Sequence, residues 1–185
     1  MKKNMAFCSV LFLALLTMGC GTKSTYILAP GAQAANTADG FKVGQVNDLS
    51  GFQFKPNDKD AFSLEEAMSA ALGSALNKQG LTGAGQYSVN VNILAYAPGS
   101  AFVRWLMPGA GATRLSVEAL IADKNGVQTA KIPVERHISA GGGYTIGAYK
   151  YIFEDVAQEI AAVIKNPAKA KSSGGQPGQE SPYGL

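Results

Sequence analysis

The sequence predicts an α+β domain: a mainly antiparallel sheet of about four strands with two helices packed on one face. Three observations predict it. Gln86–Tyr96 and Thr113–Asp123 alternate apolar and polar residues with a period of two, as strands with one buried face do. A stretch opening at Ser63 and another from about Ile146 to Lys165 repeat apolar residues at three- and four-residue intervals, the period of amphipathic helices. The order is strand, helix, three strands, helix, with a turn signal between the last two strands, and it favours helices gathered on one face of an antiparallel sheet.

The chain opens with MKKNMAFCSVLFLALLTMGC. Lys2 and Lys3, an apolar run from Met5 to Met18 and a small-residue site ending in a cysteine read as a secretory signal peptide. The run is shorter than the ~20 residues a helix needs to cross the hydrocarbon core. Thr17-Met18-Gly19-Cys20 resembles the lipobox of bacterial lipoproteins. That resemblance implies that the Cys20 sulfur receives a diacylglycerol, that the chain is cut just before it, and that the new amino terminus is acylated, as with palmitate. Residues 1–19 are then the signal peptide and Cys20 the first mature residue.

Residues 20–40 follow as lipidated cysteine and flexible tether, rich in Gly, Ala, Thr, Asn and Ser, with Pro30-Gly31 as a turn and one short extended piece, Thr25–Leu28. The single domain spans 41–166. Phe41–Leu49 places Phe41, Val43 and Val46 in a first strand. Ser63 and Glu66 have the spacing of a capping box, and Leu64, Met68, Leu72 and Leu76 continue as a helix that ends near Gly80. Tyr87, Val89, Val91, Ile93 and Ala95 share one face of the next strand, and Leu115, Val117, Ala119 and Ile121 share one face of the strand after it. Asp123-Lys124-Asn125-Gly126 has the chemistry of a hairpin turn. Val127–Ser139 returns with Ala130, Ile132, Val134 and Ile138 inward, and Pro133, which lacks an N–H, belongs on an edge or at a bulge. After Ala140-Gly141-Gly142-Gly143, the closing helix carries Tyr149, Ile152, Phe153, Val156, Ile160, Val163 and Ile164 as its apolar stripe, and Asn166-Pro167 stops it. The tail, 167–185, has almost nothing to bury and reads as disordered.

Composition excludes several functions. The formal charge of +3 falls to +1 once Lys2 and Lys3 leave with the signal peptide, and lysines and arginines are dispersed, which argues against nucleic-acid binding. Lys165, Lys169 and Lys171 make only a weak basic cluster, explained by the helix end and by solvation. Of the two cysteines, Cys8 is discarded and Cys20 is occupied by lipid, so none remains for a disulfide, a metal or a nucleophile. No cofactor is expected. His137 is the one histidine, and a lone strand histidine without a serine elbow is more often structural than catalytic. The glycines at 109, 111, 141, 142, 143 and 147 miss both the P-loop and the dinucleotide spacing and read as unusual backbone conformations.

The segment Tyr96–Gly111, YAPGSAFVRWLMPGAG, joins two strands yet carries Phe102, Val103, Trp105, Leu106 and Met107. Hydrophobic loop residues are more often packed than displayed, so burial under the helices is the first expectation. The functional alternative makes Phe102, Arg104, Trp105, Leu106 and Met107 a partner-facing or membrane-facing lip, with Arg104 available for a phosphate or carboxylate.

From about Val89 to Ile164 the chain resembles a family of small bacterial envelope lipoproteins known as a domain of unknown function. The resemblance rests on the alternating strand before Pro98-Gly99, the Arg104-Trp105-Leu106 turn with Gly109 and Gly111, the hairpin strands, and Ala140-Gly141-Gly142-Gly143 before a closing helix. It implies an envelope lipoprotein with an α/β domain and supplies no activity or catalytic residue. Gly21 stands where an aspartate would signal inner-membrane retention in enteric bacteria, so outer-membrane sorting is the default in a Gram-negative source. The resulting expectation is a lipid-anchored, periplasm-facing outer-membrane lipoprotein that acts as a non-catalytic binding or assembly module. Its partners are the membrane, through the N-terminal lipid, and an envelope protein or glycan. The alternative is an envelope glycan- or peptide-processing enzyme, which would need His137 beside a carboxylate.

Overall fold

Six strands form one sheet in the computed structural model, which describes residues 21–107, 110–139 and 147–168. In chain order the elements are β1 (Gly21–Ser24), β2 (Ile27–Leu28), β3 (Phe41–Asp48), α1 (Leu64–Lys78), β4 (Tyr87–Ala97), α2 (Ala101–Leu106), β5 (Thr113–Ala122), β6 (Gln128–Ile138) and α3 (Ala148–Lys165). Across the sheet the order is β1-β6-β5-β4-β3, and β2 pairs with β6 further along the same edge as β1. Every pairing is antiparallel except β3 with β4. A parallel pair needs a long crossover, and α1 supplies it.

The α+β class holds, while the expected strand count is too low. The two additional strands, β1 and β2, come from within the 20–40 stretch read as a flexible tether. β2 lies within the extended piece expected at Thr25–Leu28, whereas β1 has no alternating apolar pattern to announce it. They are held by main-chain pairing to β6 and by polar side chains: the Arg136 Nη1 group donates to Thr22 Oγ1 at 2.9 Å, and the Ser24 hydroxyl donates to Glu159. Arg136 also donates from Nε and Nη2 to Asp155 Oδ2, at 3.0 and 2.8 Å, so one guanidinium ties β1, β6 and α3 together. The signal peptide, Cys20, the glycines at 141 to 143 and the tail from 169 onward lie outside the described residues.

Pro133 stands in an inner strand. Its carbonyl accepts the Thr25 N–H at 3.3 Å, so its missing donor points to the same outer side. There the edge breaks between β1 and β2, and the proline removes no ladder bond from β5.

The helices cover one face. Leu64, Met68, Leu72, Ala75 and Leu76 of α1 and Ile152, Phe153, Val156, Ile160, Val163 and Ile164 of α3 are buried. They pack against Val89, Val91 and Ile93 of β4, Leu115, Val117, Ala119 and Ile121 of β5, and Ala130, Ile132, Val134 and Ile138 of β6. Each such large apolar side chain contributes roughly 1.5–3 kcal/mol when fully buried. The Ser63 hydroxyl accepts the Glu66 N–H at 3.1 Å, as the capping spacing predicts, and donates to Glu65 Oε2 at 3.0 Å. At the hairpin, Asp123 Oδ1 accepts the Asn125 and Val127 N–H groups, each at 2.9 Å. These bonds, the Val127 one foremost, hold the Asp123 carboxyl below the usual carboxylate range.

The opposite face carries the polar positions of the same alternation. Glu118 and Lys131 form an ion pair there at 3.0 Å, and Asn47 donates to Asn92 at 3.0 Å.

Candidate functional site

The segment between β4 and β5 leaves the sheet through a narrow neck. Gly99 and Gly111 have φ of 65° and 64°, the left-handed region that suits glycine. A Cβ on Gly99 would lie 2.5 Å from the Gly111 carbonyl oxygen, and one on Gly111 would lie 2.9 Å from the Ser100 oxygen. The Ser100 N–H donates to the Gly111 carbonyl at 2.9 Å, and Thr113 Oγ1 donates to the Pro98 carbonyl at 2.7 Å. Backbone and side-chain bonds thus close the neck where only glycine fits.

Above the neck the chain turns into α2. Ser100 caps it, accepting the Val103 N–H at 3.3 Å, and Met107 closes it by donating its N–H to the Val103 carbonyl at 2.8 Å. Phe102, Trp105, Leu106 and Met107 are 67, 69, 61 and 60% exposed, and the Phe102 and Trp105 rings lie 6.2 Å apart. The expectation that this segment folds under the helices is therefore corrected. The space beneath them is filled by aromatic residues from elsewhere. Phe52, Phe54 and Phe62 of the 49–63 loop pack with Tyr96 and Phe153, and the Tyr96 hydroxyl donates to the Tyr149 carbonyl at 2.8 Å. Burial raises the Tyr96 phenol well above the ordinary tyrosine range, with the nearby Tyr149 adding to it. Arg104 lies in α2, but its side chain is outside the described residues.

Strand register locates α2 relative to the start of the domain. Gly21 pairs with His137, His137 with Arg114, and Arg114 with Ala97. The first residue of β1, the end of β4 and the start of β5 therefore share one end of the sheet. Between β1 and β4 lie three inter-strand steps, about 15 Å in all. The chain enters the sheet at the end from which α2 projects.

The same end holds a recess of about 200 Å³ on the open face, lined by Lys23, Arg114, Glu135 and His137. The sequence singles out His137, with Glu135 and Arg136 beside it as a solvated strand face. A period of two puts Glu135 and His137 on one face of β6, so that half was legible. Lys23 and Arg114 reach the recess only through the register of three strands. Among the described residues, no three His, Cys, Asp or Glu side chains are grouped to hold a metal ion. No described helix is long and apolar enough to cross a membrane.

Comparison with known proteins gives one family match and distant structural likenesses. Among solved structures, a variant of the PelC dodecamer from Paraburkholderia phytofirmans is similar at 11% identity, covering 77% of this chain and 96% of that one, with a TM-score of 0.49. Another PelC dodecamer from the same organism is similar at 12% identity over 78% of this chain and 96% of that one, with a TM-score of 0.47. Protein XCC0632 from Xanthomonas campestris, of the family DUF330, is similar at 9% identity over 79% of this chain and 91% of that one, with a TM-score of 0.38. No curated protein matches. The model of the domain of unknown function DUF4410 matches residues 45–142, more than half of the chain, and the protein belongs to that family.

Proposed function

We propose that the protein is a lipid-anchored, periplasm-facing lipoprotein of the outer membrane that works as a non-catalytic binding or assembly module of the cell envelope. The observation that carries the binding role is the display of Phe102, Trp105, Leu106 and Met107 on a helix whose neck is fixed by Gly99 and Gly111. Exposed apolar clusters on otherwise polar surfaces mark protein or membrane contacts. The anchor rests on the signal-like start and on Thr17-Met18-Gly19-Cys20. Gly21 in place of aspartate supports outward sorting in a Gram-negative cell. Labelled palmitate should enter the wild-type chain and be absent from Cys20→Ser. A Cys20→Ser protein that still takes up lipid and fractionates with membranes would overturn the anchor.

A second reading has its own observation. His137 and Glu135 line one recess with Lys23 and Arg114, the pairing of histidine and carboxylate that an envelope glycan- or peptide-processing enzyme would use. Recovery of full cellular function by both His137→Ala and Glu135→Gln would remove that reading.

A further inference from the structure

We infer that α2 is a second membrane contact: Phe102, Trp105, Leu106 and Met107 enter the bilayer leaflet that holds the Cys20 lipid. This rests on the lipid-anchor reading above and adds to it an orientation and a lipid-binding surface. The occupant is a phospholipid surface rather than a protein groove.

Chain connectivity comes first. Cys20 is bonded to Gly21, and Gly21 is already paired with His137 in the sheet. No spacer separates a lipid on Cys20 from the end of β1, so that end of the sheet is held against the bilayer. The register Gly21–His137–Arg114–Ala97 puts the root of α2 on the same end, about 15 Å away across three strand steps. A domain tethered there cannot turn α2 far from the lipid surface.

The chemistry agrees. The four displayed side chains are an indole, a phenyl ring, an isobutyl group and a thioether, and Trp is the residue most at home at the headgroup boundary, with an apolar ring and one N–H donor. Lys23 and Arg114 are exposed near the same end and, against the one carboxylate of Glu135 beside them, put an excess of positive charge at headgroup depth, where anionic lipids attract it. The closed neck keeps α2 from folding back onto the sheet. Residues 167–168, past the end of α3, and the 122–128 hairpin lie at the far end, away from the leaflet.

Trp105 is the one tryptophan in the chain and reports on the surface directly. The full lipidated protein is reconstituted into phosphatidylethanolamine–phosphatidylglycerol vesicles with or without brominated acyl chains. Brominated lipid should lower Trp105 emission at least twofold, and a Phe102→Ser/Leu106→Ser/Met107→Ser variant that keeps Trp105 should lose most of that quenching while still floating with the vesicles. Unquenched Trp105 in a protein that carries the lipid and floats would overturn this inference and leave the anchor intact. Absence of lipid on Cys20 by mass spectrometry, with no flotation, would overturn both. Trp105 shielding that rises with protein concentration and ignores bromination would assign the patch to a second copy, and also overturns the inference.

Discussion

The Ser100 N–H and the Cβ position of Gly99 converge on one atom, the Gly111 carbonyl oxygen, at 2.9 and 2.5 Å. That convergence fixes how α2 leaves the sheet. Any side chain at position 99 must push the carbonyl away and break the bond that closes the neck, in addition to the strain of positive φ. Gly99→Ala and Gly111→Ala should each lower unfolding free energy by roughly 1–3 kcal/mol in urea titrations. Both should also speed proteolysis within 100–107 well before global unfolding. Equal cleavage in wild type and variants would show that the neck does not restrain the helix.

Display and burial make opposite predictions for residues of one type. Leu106→Ala should leave stability within about 0.5 kcal/mol of wild type, because its side chain already meets solvent. Leu115→Ala and Leu72→Ala, fully buried between sheet and helices, should each cost about 2–5 kcal/mol. Urea midpoints of the three variants check the contrast, and a large loss at Leu106 would return α2 to the core.

Arg136 reaches Asp155 on α3 and Thr22 on β1. The pair is partly open to solvent, with side-chain exposures of 18 and 33%, which limits its worth. Asp155→Asn should therefore cost only about 1 kcal/mol. Its clearer effect should be local: amides of β1 should exchange faster while those of β5 keep their protection, as hydrogen-exchange mass spectrometry would reveal. Uniform loss of protection would mean that β1 is not a separately opening edge.

The buried Tyr96 phenol sets an alkaline limit. Its folded-state pKa is raised, so above about pH 10 the unfolded chain releases a proton that the folded chain retains, and stability falls as pH rises. Below that pH its contribution is fully present. Tyr96→Phe should flatten the decline between pH 10 and 11 in guanidine titrations, at a cost of about 1 kcal/mol at neutral pH from the lost bond to the Tyr149 carbonyl. Tyr26, whose pKa burial also raises, leaves a residual slope. An unchanged slope in Tyr96→Phe would assign the effect elsewhere.

What the sequence determined by itself was whatever is encoded within one element. The period of two in β4, β5 and β6, the apolar stripes of α1 and α3, the cap at Ser63 and the turn at Asp123 are local, and most of the inward residues they name are buried; Tyr87 and Tyr149 are only half-buried, and Ala95 is exposed while Tyr96 is buried, because the register shifts between Ile93 and Ala95. The DUF4410 match, residues 45–142, spans α1 and β4 to β6 and stops before α3. Three features needed the tertiary structure. β1 carries no hydrophobic pattern, and β2 shows only as the short extended piece at Thr25–Leu28, because edge pairing to β6 relies on main-chain groups that every residue has. The recess of Lys23, Arg114, Glu135 and His137 unites residues more than a hundred positions apart, which only strand register brings together. Finally, the exposure of Phe102 to Met107 depends on what else packs at that end of the core. The aromatic residues at 52, 54 and 62 pack with Tyr96 and Phe153, and the apolar turn faces outward at the end of the sheet where β1 starts.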